Sequence, residues 1–558
     1  MKTSRYLNIG PGAGLCTVRA VACGISGMLL LIAPEWLHAQ ETASDPLSFA
    51  VTEVRLEGRI DLLAEPLQAE LLDVLAQARG VQVGTARLRA VAVALQQVLE
   101  RSAPGQFRAL IPAQALDDGA LRVQVLPVLQ AVEGIGADGY DAARTRAGLP
   151  SLRPGIVLPL QGDPVDPRDW ALLREHPIKQ AQVRYLSEIG SNRGPSAQVI
   201  AQAPAGRRAG DLRLDNSGSQ SVGRWMLSAQ WLDGNLTGDD DTLSLSWSQP
   251  LQHPQAVRIA GLVYGRTMPA EHLALTLGLS HADSASTTAV ANAGLLVGQG
   301  RYDEASLSLA HFLATPGQRA GESLKLLGEA TLGRVASQTD FLGQTVTTYR
   351  RSTAVLGTGL EWLKPGEGEN LMLARGMLHG YKVGMLGTSG QAAYTATRVG
   401  AGGAVWFKGS LLARWQIGPL QLQSQTLGQY TQNKLTPTHQ MQLASWTSGV
   451  RGHVDTLVSG DSALVQRTEL LAAPLSGGDL LWRPYALADV GRKLGGNEEL
   501  ATTLASVGLG LRSFVPDGRA EIDLSLVRKV DGAERDIHLG SGETRSRDTL
   551  GVSARLRF

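Results

Sequence analysis

From about Gly210 to the end, the chain alternates apolar and polar residues with a period of two. Trp225, Leu227, Ala229 and Trp231 are interleaved with Ser228 and Gln230. Leu243, Leu245 and Trp247 alternate with Thr242, Ser244, Ser246 and Ser248, and Ile522, Leu524 and Leu526 with Glu521, Asp523 and Ser525. The last residues put Leu550, Val552, Ala554, Leu556 and Phe558 on one face and Gly551, Ser553, Arg555 and Arg557 on the other. A period of two predicts strands whose two faces meet different surroundings. Repeated over roughly 350 residues without helical patterns, it suits a barrel with lipid outside and water inside. Backbone groups in lipid must all be paired, and closing the sheet pairs them. Turns rich in Gly, Asp, Asn and Pro separate sixteen or seventeen candidate strands. Such barrels favour even numbers. The reading is therefore mainly β: a transmembrane antiparallel β-barrel of about sixteen strands over 210–558, with a soluble β-sandwich or propeller as the competing architecture.

The pattern upstream is different. Phe49, Val51, Val54 and Leu56 alternate and stop at Gly58. Leu67, Leu71, Leu72 and Leu75 then recur at helical spacing up to Gly80, and Leu88, Val91, Leu95, Val98 and Leu99 mark a second helix. Strands are predicted at Phe107–Ile111 and Leu121–Leu126. Residues 49–126 thus read as a small α/β module of order β-α-α-β-β. Residues 127–205 repeat that order more loosely, with strands at Val128–Ile135, Gln182–Leu186 and Ala197–Gln202. A helix starts near Asp169, and a Pro- and Gly-rich loop covers Pro154–Pro167.

Residues 1–39 read as a secretory signal peptide. Lys2, Arg5 and Arg19 precede or border an apolar run from Ala20 to Ala33, and Ala39 is a small residue before a cleavage point at Gln40. The run is short for a membrane anchor, the alternative, and no apolar stretch of 18 residues follows it. Cleavage there would remove Cys16 and Cys23, the only cysteines, leaving no thiol for a disulfide, a zinc site or a nucleophile. Lys plus Arg number 52 and Asp plus Glu 51, so no basic field favours nucleic acid. The ten His are scattered without metal-ligand spacing. Gly402-Gly403 and Gly508-x-Gly510 open no predicted helix, as a phosphate loop would. Ser459-Gly-Asp-Ser reads as a turn. Asp239-Asp240-Asp241 reads as a solvated turn or a calcium site. No cofactor, no metal and no catalytic residue are expected.

Four segments resemble the hemolysin and filamentous-adhesin secretion/activation proteins, the two-partner secretion transporters. Leu110–Val125, with Pro112, Gln114, Gly119 and Val123, resembles the end of their first POTRA module. Leu214–Gly223, with Asp215, Asn216, Gly218 and Gly223, is similar to the signature opening their barrel, and Asp240 and Asp241 fit its usual ending. Ser448–His453 resembles the Val-Arg-Gly-Tyr tip of the long loop that folds back into the barrel, with Val450, Arg451 and Gly452 matching and His453 in place of an aromatic. Leu487-Ala-Asp489-Val-Gly491 resembles the wall motif whose acid pairs with that Arg, with Leu487 where an aromatic is more usual. Asp489 shares parity with Arg483, Tyr485 and Leu487, so it is expected to face the lumen. Phe558 fits the C-terminal signal read by the outer-membrane assembly machinery.

The resemblance implies two periplasmic POTRA-like modules before an outer-membrane barrel. It implies a transporter that captures an unfolded exoprotein of adhesin or hemolysin type and secretes it through the barrel. Its expected partners are that substrate, outer-membrane lipid and the assembly machinery. An assembly or insertase factor of the same superfamily, or a passive porin, are the other readings. Roughly 160 residues before the barrel leave room for only two modules. With cleavage before Gln40, only nine residues, Gln40–Ser48, precede the first module. As a helix they would reach about 14 Å against a lumen of about 30 Å, and Pro46 interrupts them. No N-terminal plug helix is expected.

Overall fold

The computed structural model describes residues 48–558 apart from 115–117, 187–193, 205, 220–221, 291–293, 316–317, 319–320, 343, 385–402, 457, 496–500 and 532–545. The expected signal peptide, residues 1–39, and residues 40–47 ahead of the first module lie outside the described residues. The chain forms two compact units, Met1–Val125 and Leu126–Phe558.

In the first unit, β1 (Ser48–Val51), β2 (Glu53–Gly58), α1 (Glu65–Ala76), β3 (Gly80–Gly84), α2 (Thr85–Ser102), β4 (Phe107–Leu110) and β5 (Ala120–Pro127) follow one another. The order β2-β5-β4 makes one sheet, with β2 and β5 parallel, and β1 pairs with β3. Leu67, Leu71 and Leu75 of α1 and Val91, Leu95, Val98 and Leu99 of α2 are buried, four or three apart, against Leu121, Val123 and Val125 of β5. Strand β3 was not expected from sequence: Val81-Gln82-Val83 is too short an alternation to distinguish from a helix-to-helix connection, yet Val83 is fully buried.

The second unit opens with β6 (Ala131–Gly136), α3 (Ala142–Ala147), α4 (Pro167–Leu173), β7 (Gln180–Leu186) and β8 (Ser196–Gln202), in sheet order β6-β8-β7. Its first strand starts at Ala131, because Val128 makes only an isolated bridge to Val157. Helix α3 has one buried side chain, Thr145, which leaves no periodicity to read in the sequence. Gly134 lets it lie against β6: a Cβ there would come within 1.8 Å of the Ala142 carbonyl oxygen.

The barrel runs through β9 (Arg208–Asp215), β10 (Met226–Asp233), β11 (Asp241–Pro250), β12 (Val257–Met268), β13 (Leu273–Val290), β14 (Gly294–Leu313), β15 (Ser323–Phe341), β16 (Gln344–Pro365), β17 (Leu371–Val383), β18 (Gly403–Ile417) and β19 (Leu420–Tyr430). After a long loop holding the short β20 (Met441–Gln442) and β21 (Ser459–Gly460), it continues through β22 (Ala463–Leu471), β23 (Leu475–Gly477), β24 (Leu480–Lys493), β25 (Thr502–Phe514), β26 (Ala520–Asp531) and β27 (Asp548–Arg557). Neighbours pair antiparallel, and β27 returns to β9, closing the barrel. Because β23 continues the line of β22 along β24, the described residues make sixteen staves. Leu332, Leu356, Leu378, Leu509 and Leu526 lie exposed on the outer face, where lipid removes the penalty of leaving them uncovered.

Candidate functional site: a loop lodged in the barrel

The segment between β19 and β22 folds back inside the barrel. Leu435, Leu443, Val450, Arg451 and His453 along it are all buried. Val450 packs with Leu443, Ala463, Val465 and Leu504, and a Cβ on Gly491 of the wall would come within 2.7 Å of its methyl group. The next residue carries the charge. Arg451 Nε and Nη2 each donate across 2.7 Å to the two carboxylate oxygens of Asp489 on β24, and the Arg451 amide adds a 3.1 Å bond. Arg451 Nη1 also reaches Glu469 on β22. Asp489 is fully buried and Arg451 nearly so, which shields this forked pair from solvent.

Gly452 turns the tip at φ +87°, and a Cβ there would sit 3.0 Å from Val527 of β26. The left-handed conformation costs other residues about 1–2 kcal/mol. We therefore expect Gly452→Ala to loosen the tip, seen as faster proteolysis of the loop in the folded barrel. His453, standing where an aromatic is usual, is buried too, and its ring lies 3.4 Å from the Ala505 carbonyl and from Thr456 Oγ1.

The barrel-opening motif lies at the closure. Asn216 Nδ2 donates to the Leu550 carbonyl at 2.7 Å, and its Oδ1 accepts from the Val552 amide at 2.8 Å, extending the β9–β27 ladder. Asp215 is buried, accepts from the Ser217 amide at 2.9 Å and pairs with Arg213. Gly218 and Gly223 shape the turn: a Cβ on Gly218 would meet the Gly223 carbonyl at 1.9 Å, and Gly223 has φ +106°. Phe558 exchanges two backbone hydrogen bonds with Gly210, and its ring covers that glycine.

In the first unit, Gln114 behaves as a strand substitute, its side-chain amide exchanging two 2.8 Å bonds with the backbone of Arg122, while its nitrogen also lies 3.3 Å from the Pro112 carbonyl. Gly119, at φ +70°, presents its carbonyl to the amides of Thr52 and Glu53. These residues shape a turn.

The Asp239–Asp241 run, read from sequence as a solvated turn or a calcium site, lies in the turn that leads into β11, with basic side chains beside it. It receives the second module: Lys179 pairs with Asp240, and Arg144 with Asp239 at 2.7 Å. Asp169 in α4 accepts from Ser151 and holds His272 at 3.0 Å, and Glu175 holds Lys325 at 2.7 Å. Among the described residues no group of His, Cys, Asp and Glu is arranged to hold a metal. Sequence reasoning missed all of these partners.

His176 completes this contact. Its Nε2–H donates to the Gly234 carbonyl at 2.6 Å while Nδ1 accepts the Lys179 amide at 2.8 Å. Burial above all, with Lys179 adding to it, holds the ring below its ordinary value, against the Gly234 carbonyl, Asp240 and Asp241. The undocked ring takes up a proton near its ordinary pKa of about 6.5 and the docked ring refuses it, so contact stability falls as pH drops through that value. The protection factors of the Ile178 and Lys179 amides, taken relative to the intrinsic exchange rate at each pH, should therefore drop between pH 7 and about 5, and His176→Gln should flatten that dependence.

A closed sixteen-stave barrel with an outward apolar face, an inward loop bonded to the wall by a buried Arg–Asp fork and an α/β module seated on one end defines a transmembrane β-barrel of the outer-membrane kind. The chain belongs to the haemolysin secretion/activation protein family ShlB/FhaC/HecB, whose model matches residues 194–513, more than half of it. These are the outer-membrane transporters of two-partner secretion. Among solved structures, the chain is similar to CdiB from Escherichia coli, with 17% identity, a TM-score of 0.65 and coverage of 97% of this chain and 98% of that one. It is also similar to CdiB from Acinetobacter baumannii, with 17% identity, a TM-score of 0.58 and the same coverage. No curated protein matches by sequence.

Proposed function

We propose that this chain captures one unfolded exoprotein in the periplasm with its two modules and passes it through the barrel to the cell surface. The observation that carries this reading is the loop lodged in the lumen by Arg451 and Asp489, which supplies a transport pore with an internal element to be held or moved. Capture by strand addition at a module's sheet edge, or in its strand–helix groove, would give affinity through main-chain bonds without demanding one sequence. The Arg451–Asp489 fork acts as the structural lock, and the Asn216 bridges with the Phe558 terminus close the barrel during its assembly. Folding of the exoprotein outside supplies the free energy of export. Deleting the gene and surveying surface proteins tests the reading: one missing exoprotein supports a dedicated transporter, whereas many missing barrels would indicate an assembly factor.

A further inference from the structure

Beyond the Arg451 fork, the same loop makes two contacts with the closing strand β27 and one with the turn that follows β9. Thr549 Oγ1 of β27 donates to the Gly452 carbonyl at 3.1 Å. Two residues further along β27, Gly551 makes room for the ring of Trp446: a Cβ at 551 would lie 1.9 Å from Trp446 Cζ2. Arg224, in the turn joining β9 to β10, pairs with Asp455 at 2.5 Å.

The strands so gripped form the shortest full pairing in the barrel. Asp211–Asp215 face Ser553–Arg557 in five ladder pairs, against nineteen between β15 and β16. A short antiparallel ladder has few bonds to resist fraying, and opening free energy scales with what must be broken locally. The Asn216 bridges and the Gly210–Phe558 pair extend it at its two ends. A body holding β27 and the turn that follows β9 from inside restrains their separation without adding ladder bonds.

We infer that the loop tip is also an internal staple of the barrel's seam, in which Asp455 holds the β9–β10 turn while Trp446 and Gly452 hold β27. The inference rests on the reading of the loop as locked in the lumen. It adds that releasing the tip loosens β9 from β27 selectively, while the long pairings from β13 to β16 stay closed.

Hydrogen exchange on the full chain in lipid vesicles tests this, comparing peptides of β9 and β27 with peptides of β15. In Asp455→Asn, and independently in Trp446→Ala, exchange in β9 and β27 should rise about tenfold, equivalent to about 1.4 kcal/mol, with β15 unchanged. Seam exchange at the wild-type rate in both variants would overturn the staple, and so would an equal rise in every strand. Arg451→Ala, assayed for secretion in parallel, separates the two ideas. Normal secretion there counts against the lock alone, and the staple is decided by the exchange of the other two variants.

Discussion

Replacing Arg451 with alanine should reduce secretion of the exoprotein to near background while the barrel still reaches the outer membrane and still migrates as a heat-modifiable band. Asp489 is fully buried and receives three hydrogen bonds from Arg451, two of them from the guanidinium fork. Removing one partner of a buried ion pair strands the other, which typically costs about 3–5 kcal/mol. That cost falls on the docked loop, because the ladder of β24 with β22 and β25 does not use the Arg451 side chain. Asp489→Asn should be milder than Arg451→Ala, since Arg451 keeps Glu469 and no carboxylate is left unpaired. Arg451→Lys should rescue only partly, because an ammonium cannot bond both oxygens in the plane of the fork. Secretion assays on cells with matched barrel levels measure this series. Wild-type secretion by both Arg451→Ala and Asp489→Ala would remove the lock from the mechanism.

The lumenal pair and the barrel differ in how they could be read from sequence. The strands announce themselves because each contacts lipid on one face and water on the other, so every stave repeats the same two-residue code. The helices α1 and α2 are legible for a similar reason, each burying one stripe against a sheet. Elements that bury almost nothing, such as α3, or that are three alternating residues long, such as β3, leave no such code. For the site, Asp489 could be assigned to the lumen from the parity of Tyr485 and Leu487, and Arg451 came from a motif. Glu469, the third member of that cluster, sits on β22 in the Arg467-Thr-Glu-Leu470 stretch that follows the loop motif, but nothing in that stretch shows that it meets Arg451. Arg224 and Asp455 lie 231 residues apart, and Trp446 meets a glycine whose only signal is the absence of a side chain. The Asp239–Asp241 run was legible as a charge cluster, but its cations come from Lys179 and Arg144 in the second module, which no spacing rule connects to it.

Deleting Phe49–Val125 should abolish secretion yet leave a folded barrel in the outer membrane. The first unit carries its own core: Leu71, Leu75, Leu95, Leu99, Leu121 and Val123 are fully buried within it. Removing the whole unit takes that core out entire, unlike a cut through it. The barrel satisfies its backbone bonds by closing on itself through β27 and β9, and its inner loop is fastened to its own wall, so neither depends on the deleted residues. The second module also stays seated, because Asp169 and Lys179 find their partners His272 and Asp240 on barrel turns and Glu175 finds Lys325 near the start of β15. What the deletion removes is one of the two modules proposed to receive the exoprotein, with its sheet edges and strand–helix grooves. If capture requires that surface, the substrate accumulates in the periplasm and is degraded there, while heat-modifiability and outer-membrane fractionation of the truncated transporter match the full chain. Secretion continuing at or near the full-length rate would exclude the first module from capture and leave the second module, or the barrel mouth, to perform it.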